Sequence, residues 1–310
     1  MKKIFFVLTV MSLASAVLFA GPQGEEGSLS GTIRIAGSST VYPITTAVAE
    51  DFTAMYPDVQ IAVQSTGTGG GFKNFFIPGK TEINDASRPI KDSELAAVRD
   101  SGDDVLEFQV ATDAITVVVS PDANWIDGIS IKQLNRIWRP ENPAVKWSDV
   151  DPSWPDEPFE LYGPTSASGT FDFFTEKVMG EEGVSRADYQ GTEEDNTIVQ
   201  AVSSSKYALG YFGMAYYLEN KDKVKPLKIE GVLPSLETAR TYEYPLSRPI
   251  FIYVRKSVLS RPEIVEFVKY YIKQTNTSLI SKIGYVPVTD DVVEKNLEKL
   301  EKAVKEVSGN

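Results

Sequence analysis

The sequence predicts an α/β protein of two domains, the second inserted into the first, and three observations predict it. From Gly31 to about Ser120, short β-rich runs alternate with stretches whose apolar residues recur at helical spacing. After Pro121 the texture changes to loops rich in Pro, Trp and Asp, and a second alternation opens at "FELYGP". Two strongly β runs, near 110–120 and 248–255, bracket that middle part. The simplest assignment is a discontinuous first domain, residues 30–116 plus 248–310, and an inserted second domain, 117–247, joined by two hinge strands. Such a chain closes like a clamp around whatever lies between its domains.

The elements follow in order. Lys2 and Lys3 precede the apolar run "IFFVLTVMSLASAVLFA", and small polar residues follow it, which predicts a secretory signal peptide over 1–20 with cleavage after Ala16 or Ala20. "TIRIAG" and "VQIAVQS" are strands, and "PITTAVAEDFTAMY" between them is a helix. A helix over about 70–77 follows "TGTGGG", then a short strand "EINDASR" and a helix "KDSELAAVRDSG" closed by Gly102. "VLEFQVATDAITVVVS" is too long for one ordinary strand, so it predicts a strand passing between domains. The inserted part reads as strand "FELYGP", helix "SGTFDFFTEKVMG", helix "DNTIVQAVSSS", strand "YALGYFG" and a short helix "AYYLEN". "SRPIFIYVRK" is again β, and "RPEIVEFVKYYIKQ" and "DDVVEKNLEKLEKAVKEVS" are helices.

Composition excludes several chemistries. The chain has neither cysteine nor histidine, which removes disulfides, Cys nucleophiles, His acid/base catalysis and the usual zinc and copper ligands; no cofactor is expected. A lipid anchor at a cleavage-site cysteine is excluded by the same absence. Without the two N-terminal lysines, 29 basic residues stand against 43 acidic ones, a formal charge of −14, which argues against nucleic acid as a partner.

Three strand-to-helix junctions carry one chemistry. In "AGSSTVYP", Pro43 requires a helix start near Ser39 or Thr40, so Ser38, Ser39 and Thr40 surround the unpaired N–H groups of a helix N-terminus, a ready site for an anion. One Ser or Thr there is an ordinary N-cap, but three in a row exceed what capping needs. "TGTGGG", with Thr68 and Gly69, lets backbone N–H groups face a ligand, or is simply a flexible turn. It is no nucleotide P-loop, because Lys73 is followed by Asn74. "SASGT" brings Ser168, Gly169 and Thr170 to the start of a third helix; a nucleophilic Ser lacks both the G-x-S-x-G spacing and a His to activate it. Neutral donors on two domains suit a small tetrahedral anion. Donors at ~3 Å act well inside the ~8 Å screening length that dilutes the overall acidic charge. Arg88, just after a short strand and before Pro89, would aim a charged fork at the same cleft edge.

"GSSTVYP", "GTGGGFKNF", "ASRPIKDSEL", "LYGPTSASGTFDFF", "EEDNTIVQAV" and "ALGYFGMAYY" resemble, in order and across nearly the whole mature chain, the PstS family of phosphate-binding proteins of bacterial ABC transporters. The resemblance implies a type II-like periplasmic binding protein, each domain a mainly parallel sheet flanked by helices. It would be a monomer and not an enzyme, capturing inorganic phosphate in the periplasm and delivering it to inner-membrane permease subunits. It further implies as ligands Ser39 and Thr40 with the Val41 N–H, then Thr68, then Ser168, Gly169 and Thr170; Ser38 and Gly69 adjoin them. The best-known branch has an Arg where this chain has Pro164 and an Asp where it has Arg88, so Arg88 is the expected charged donor. For the carboxylate that accepts a phosphate proton, Asp172 leads, with Asp195 and Asp85 behind it. The rival readings are another oxyanion (sulfate, molybdate or tungstate), a secreted phosphatase, and a surface adhesin or sensor domain.

Overall fold

The protein is described by a computed structural model covering residues 29–192 and 194–309; the expected signal peptide lies outside the described residues. In the first lobe the chain forms β1 (Gly31–Gly37), α1 (Tyr42–Met55), β2 (Val59–Ser65), α2 (Thr68–Gly71) continued by a π-helical turn (Phe72–Phe76), β3 (Ile83–Ala86), α3 (Asp92–Asp100) and the long β4 (Val105–Val119). The middle of the chain gives β5 (Gly128–Ile129), α4 (Ile131–Trp138), α5 (Trp147–Val150), β6 (Glu160–Gly163), α6 (Gly169–Met179), β7 (Gln190–Gly191) and α7 (Asp195–Ser204). It continues with β8 (Ala208–Gly213), α8 (Met214–Glu219), β9 (Lys225–Pro226), β10 (Lys228–Ile229) and α9 (Leu236–Arg240). The chain returns through β11 (Ser247–Arg255) to α10 (Pro262–Gln274), α11 (Ser278–Ile283) and α12 (Asp290–Ser308).

The sheet explains how two lobes arise from one chain. Its strands run in the order β2-β1-β3-β11-β4-β8-β6-β7, with β9 also on β4. In the first lobe β2, β1 and β3 are mutually parallel, and β11 is antiparallel to β3 and β4. Strand β4 changes partner midway: Val105 to Ala114 pair with β11, and Ile115 to Val119 pair with β8. In the second lobe β8, β6 and β7 are again parallel. This is a mixed α/β fold of two lobes joined through one sheet.

Each lobe has its own core. Ile33 and Ile35 of β1 alternate inward, and α1 buries Ile44, Val48 and Phe52 at fourfold spacing against α10, where Phe52 meets the Phe267 ring edge-on at 5.3 Å. In the second lobe the Tyr211 ring stacks on Phe174 at 3.8 Å and meets Trp138 edge-on at 5.0 Å.

Two features differ from the sequence reading. The Pro/Trp-rich stretch contains α4, which Ser130 and Gln133 start with a reciprocal capping box; that signal stood in the sequence as "SIKQ". The hinge also has a third strand of chain. Thr112 and Val286 exchange backbone hydrogen bonds of 2.9 and 3.0 Å, Val286 packs into the second lobe's core, and Arg240 of α9 donates to the Pro287 carbonyl. The segment after α11 therefore straps the first lobe's C-terminal helices to the second lobe.

Candidate functional site

The hydroxyl-rich turns come together because each follows the C-terminal end of a strand. Ser38 to Val41 link β1 to α1, Thr68 opens α2 just beyond β2, and Ser168 caps α6 just beyond β6. Domain closure then sets the first and third face to face. A Cβ built on Gly169 would stand 2.7 Å from the Thr40 Cα and 2.8 Å from its hydroxyl, so the two helix N-termini touch only because residue 169 has no side chain. Ser39 Oγ donates across the same gap to Asp172 Oδ2 at 3.0 Å.

Ser38 serves differently from the expectation. Its Oγ accepts from the Thr40 N–H at 3.1 Å and the Val41 N–H at 3.4 Å, and the residue is buried, so it shapes the turn and keeps only its own O–H proton to give. The Val41 N–H thus shares the Ser38 oxygen with the Thr40 N–H. Ser168 is the N-cap of α6, its side chain accepting from the Thr170 N–H at 3.2 Å. Thr68 Oγ1 accepts from the Ser87 N–H and shares a hydrogen bond with the Ser87 hydroxyl, each at 3.0 Å, which brings Ser87 into the cluster. Close packing under this turn depends on Gly71, where a Cβ would fall 2.3 Å from Asn84 Oδ1 and 2.6 Å from the Gly37 Cα.

Arg88 lies beside Gly69, its Nη2 3.6 Å from where a Cβ there would stand, and it is held in place by a fork of two 2.9 Å hydrogen bonds to Glu94. Partial burial would push the Glu94 carboxyl up, but Arg88 and the Lys91 N–H hold it below its ordinary value. Glu94 thus caps α3 and orients the guanidinium together.

The sequence reading missed a second arginine. Arg248, buried at the start of β11, donates from Nη2 to Thr40 Oγ1 at 3.2 Å, from Nε to Asp113 at 3.1 Å and from Nη1 to Glu176 at 2.8 Å. Burial pushes the Asp113 carboxyl up, and the Arg248 charge opposes it. A signal existed: "SRPI" at 247–250 repeats "SRPI" at 87–90 letter for letter. Tyr285, also missed, donates its O–H to the Thr40 carbonyl at 2.6 Å. Glu182, an exposed residue, has its carboxyl pushed up by partial desolvation and by Asp172 and Glu176, while Arg248 and Arg88 act the other way. Two guanidiniums and several carboxylates thus share one cleft.

The remaining carboxylates are placed differently. Asp195 stands in the first turn of α7, in the electrostatic range of Tyr216 on α8. Asp85 lies beneath the first turn, fully enclosed, accepting from Thr45 Oγ1 at 3.0 Å, and Thr45 in turn shares a 2.9 Å bond with the Tyr271 hydroxyl. Burial pushes the Asp85 carboxyl up to about 8, a shift that Thr45 only partly offsets.

Comparison with known proteins gives concordant results. Residues 22–275 match the family model of a PBP superfamily domain. The chain is 43% identical over 279 residues to Protein SphX of Synechocystis sp., covering 87% of this chain and 82% of that one. It is 36% identical over 316 residues to the phosphate-binding protein PstS of Staphylococcus haemolyticus, covering 97% and 98% of the two chains. A crystal structure described as a possible phosphate binding protein from Planctomyces limnophilus superposes with a TM-score of 0.85 at 44% identity, covering 89% of this chain and 99% of that one.

Two outcomes are expected. Gly169→Ala should leave each lobe folded, with a melting temperature near the wild type, yet keep the lobes apart, so that small-angle scattering gives a larger radius of gyration; an unchanged radius would mean that the turns yield. Asp85 holds its proton in the folded state, while in the unfolded chain it titrates near its ordinary 3.8, so stability is lost as pH rises from there to about 8. Asp85→Asn removes that loss, so denaturation series from pH 4 to pH 8 should find the variant's stability falling less with pH than the wild type's. Parallel pH profiles would contradict the assignment.

Proposed function

The chain belongs to the PstS family within the PBP superfamily, and from that premise we propose that it captures inorganic phosphate between its two lobes and hands it to the permease of an ABC transporter. One observation carries the reading: the N-termini of α1 and α6 meet across the cleft through Thr40 and Gly169, with Ser39 hydrogen-bonded to Asp172. Two helix N-termini each carry roughly +0.5 of an elementary charge, and an anion between them relieves their repulsion.

In this reading Ser39, Thr40, Thr68, Gly69, Ser168, Gly169 and Thr170 supply neutral donors, and Arg88 supplies the charged one. Ser38 and the Val41 N–H form the turn that holds the donors. Asp172 accepts the proton that phosphate retains and sulfate lacks; Asp195 is the reserve candidate for that role. The division between domains falls near residues 114–117 and 246–248, where β4 changes partner and β11 begins. The protein works outside the cytoplasm, in the periplasm, exported by its first 20 residues. It acts as a monomer that binds its ligand without transforming it.

Titration calorimetry tests the assignments. Arg88→Ala should weaken phosphate binding at least tenfold, since a hydrogen bond to a charged group is worth about 1.5–3 kcal/mol. Ser38→Ala should instead lower thermal stability, by about 0.5–1.5 kcal/mol, as loss of a buried hydrogen bond to the turn backbone does. Equal, small binding losses for both would make Arg88 a surface residue. Asp172→Asn should reduce phosphate affinity modestly and make sulfate binding measurable, because a carboxylate facing sulfate meets only lone pairs. If sulfate stays excluded and phosphate binds normally, Asp172 is not the discriminating group.

A further inference from the structure

Arg248 is built differently from a ligand-binding arginine. It pairs in register with Asp113 on the neighbouring strand β4, so the guanidinium and its buried counter-ion both stand on the two strands that cross between lobes. Only 9% of its side chain and 4% of the Asp113 side chain are exposed, and this strand-to-strand bond fixes the root of the arginine on the hinge. Its planar head lies on the Phe173 ring of the second lobe, 4.0 Å from the centroid. The two terminal nitrogens then diverge. One holds Thr40 in the turn before α1, on the first lobe; the other holds Glu176 on α6, the helix whose N-terminus forms the opposing wall.

We propose that Arg248 is a closure latch, a positioning residue fixed on the hinge that catches Thr40 of one lobe and Glu176 of the other and so shifts the balance between open and closed forms toward the closed one. Rotating the lobes apart separates Thr40 from Glu176, and one short guanidinium cannot follow both. Opening therefore costs a charge-assisted hydrogen bond or strips Phe173 of its cation. Lysine could not replace it, because an ammonium has no planar fork with which to reach three partners in diverging directions. The consequence for affinity rests on the phosphate reading above; the closure of the ligand-free protein does not.

Glu176→Gln is the cleanest variant, because the Glu176 side chain is 40% exposed and the amide keeps its shape, while Arg248→Lys keeps a cation beside Asp113 and so avoids a bare buried carboxylate. The chain has no cysteine, so Asp100→Cys and Lys221→Cys, exposed on opposite lobes, accept a fluorescent pair without interference. In exhaustively dialysed protein, energy transfer should report a larger closed fraction for the parent and a shift to longer distances in both variants. Added inorganic phosphate should close them again, with dissociation about tenfold faster than from the parent, the fold-change expected for one such hydrogen bond. An ion pair of merely structural value would lower the melting temperature and leave the ligand-free distances unchanged, and that result overturns the latch. If phosphate moves no distance in the parent and gives no binding heat, the phosphate reading fails, while the ligand-free comparison still decides for or against the latch.

Discussion

Two helix N-termini pressed against each other are an unstable arrangement, and the rest of this molecule is organised around it. The start of α1 and the start of α6 approach until only a missing side chain at Gly169 separates them from a clash with Thr40. Aligned peptide dipoles give both ends the same sign, so the contact needs negative charge between or beside them. The Asp172 carboxylate stands there, bonded to Ser39 from the opposite wall. A small protonated anion beside that carboxylate would meet donors from both turns. The acidic character of the whole chain does not prevent this, since fixed donors at hydrogen-bond distance act where screening is weakest.

The same constraint accounts for how the arginines are held. Arg88 is forked onto Glu94, and Arg248 is shared between Asp113 and Glu176, so neither stands in the cleft as a bare cation. A site made this way offers directional donors with little excess positive charge, and it has carboxylates close by. Charge alone would then recognise any oxyanion poorly, and the presence or absence of a proton on the ligand becomes the feature most easily read. Hinge, wall and counter-ion are one network, because Thr40 receives both Arg248 and Tyr285 while bordering Gly169.

Much of this architecture was legible because it is local. The alternation that predicts β1, α1 and β2, the Pro43 that fixes where α1 begins, and the overlong run that became β4 are all read within a few residues. The hydroxyl clusters were legible as chemistry but not as geometry: nothing in "SST" tells that Ser38 would turn its oxygen inward to cap the turn while Ser39 reaches Asp172. Arg248 and Tyr285 were missed because they meet Thr40 across separations of 208 and 245 residues, which no spacing rule records. The strap at Val286 is hidden for the same reason. By contrast, α4 was lost to composition, since surrounding Pro and Trp outweighed a capping box that was present.

The proposed function requires a protonated tetrahedral oxyanion at the junction of the α1 and α6 turns, bound by both lobes. Arsenate has the geometry and the proton of phosphate, and its arsenic scatters anomalously, so a crystal grown with it locates the anion without interpretation. If phosphate binds as proposed, a single strong anomalous peak lies beside Thr40 and Thr170, with the anion's oxygens about 3 Å from the Ser39, Thr68 and Thr170 donors. A peak elsewhere, or none at saturating arsenate, would contradict it.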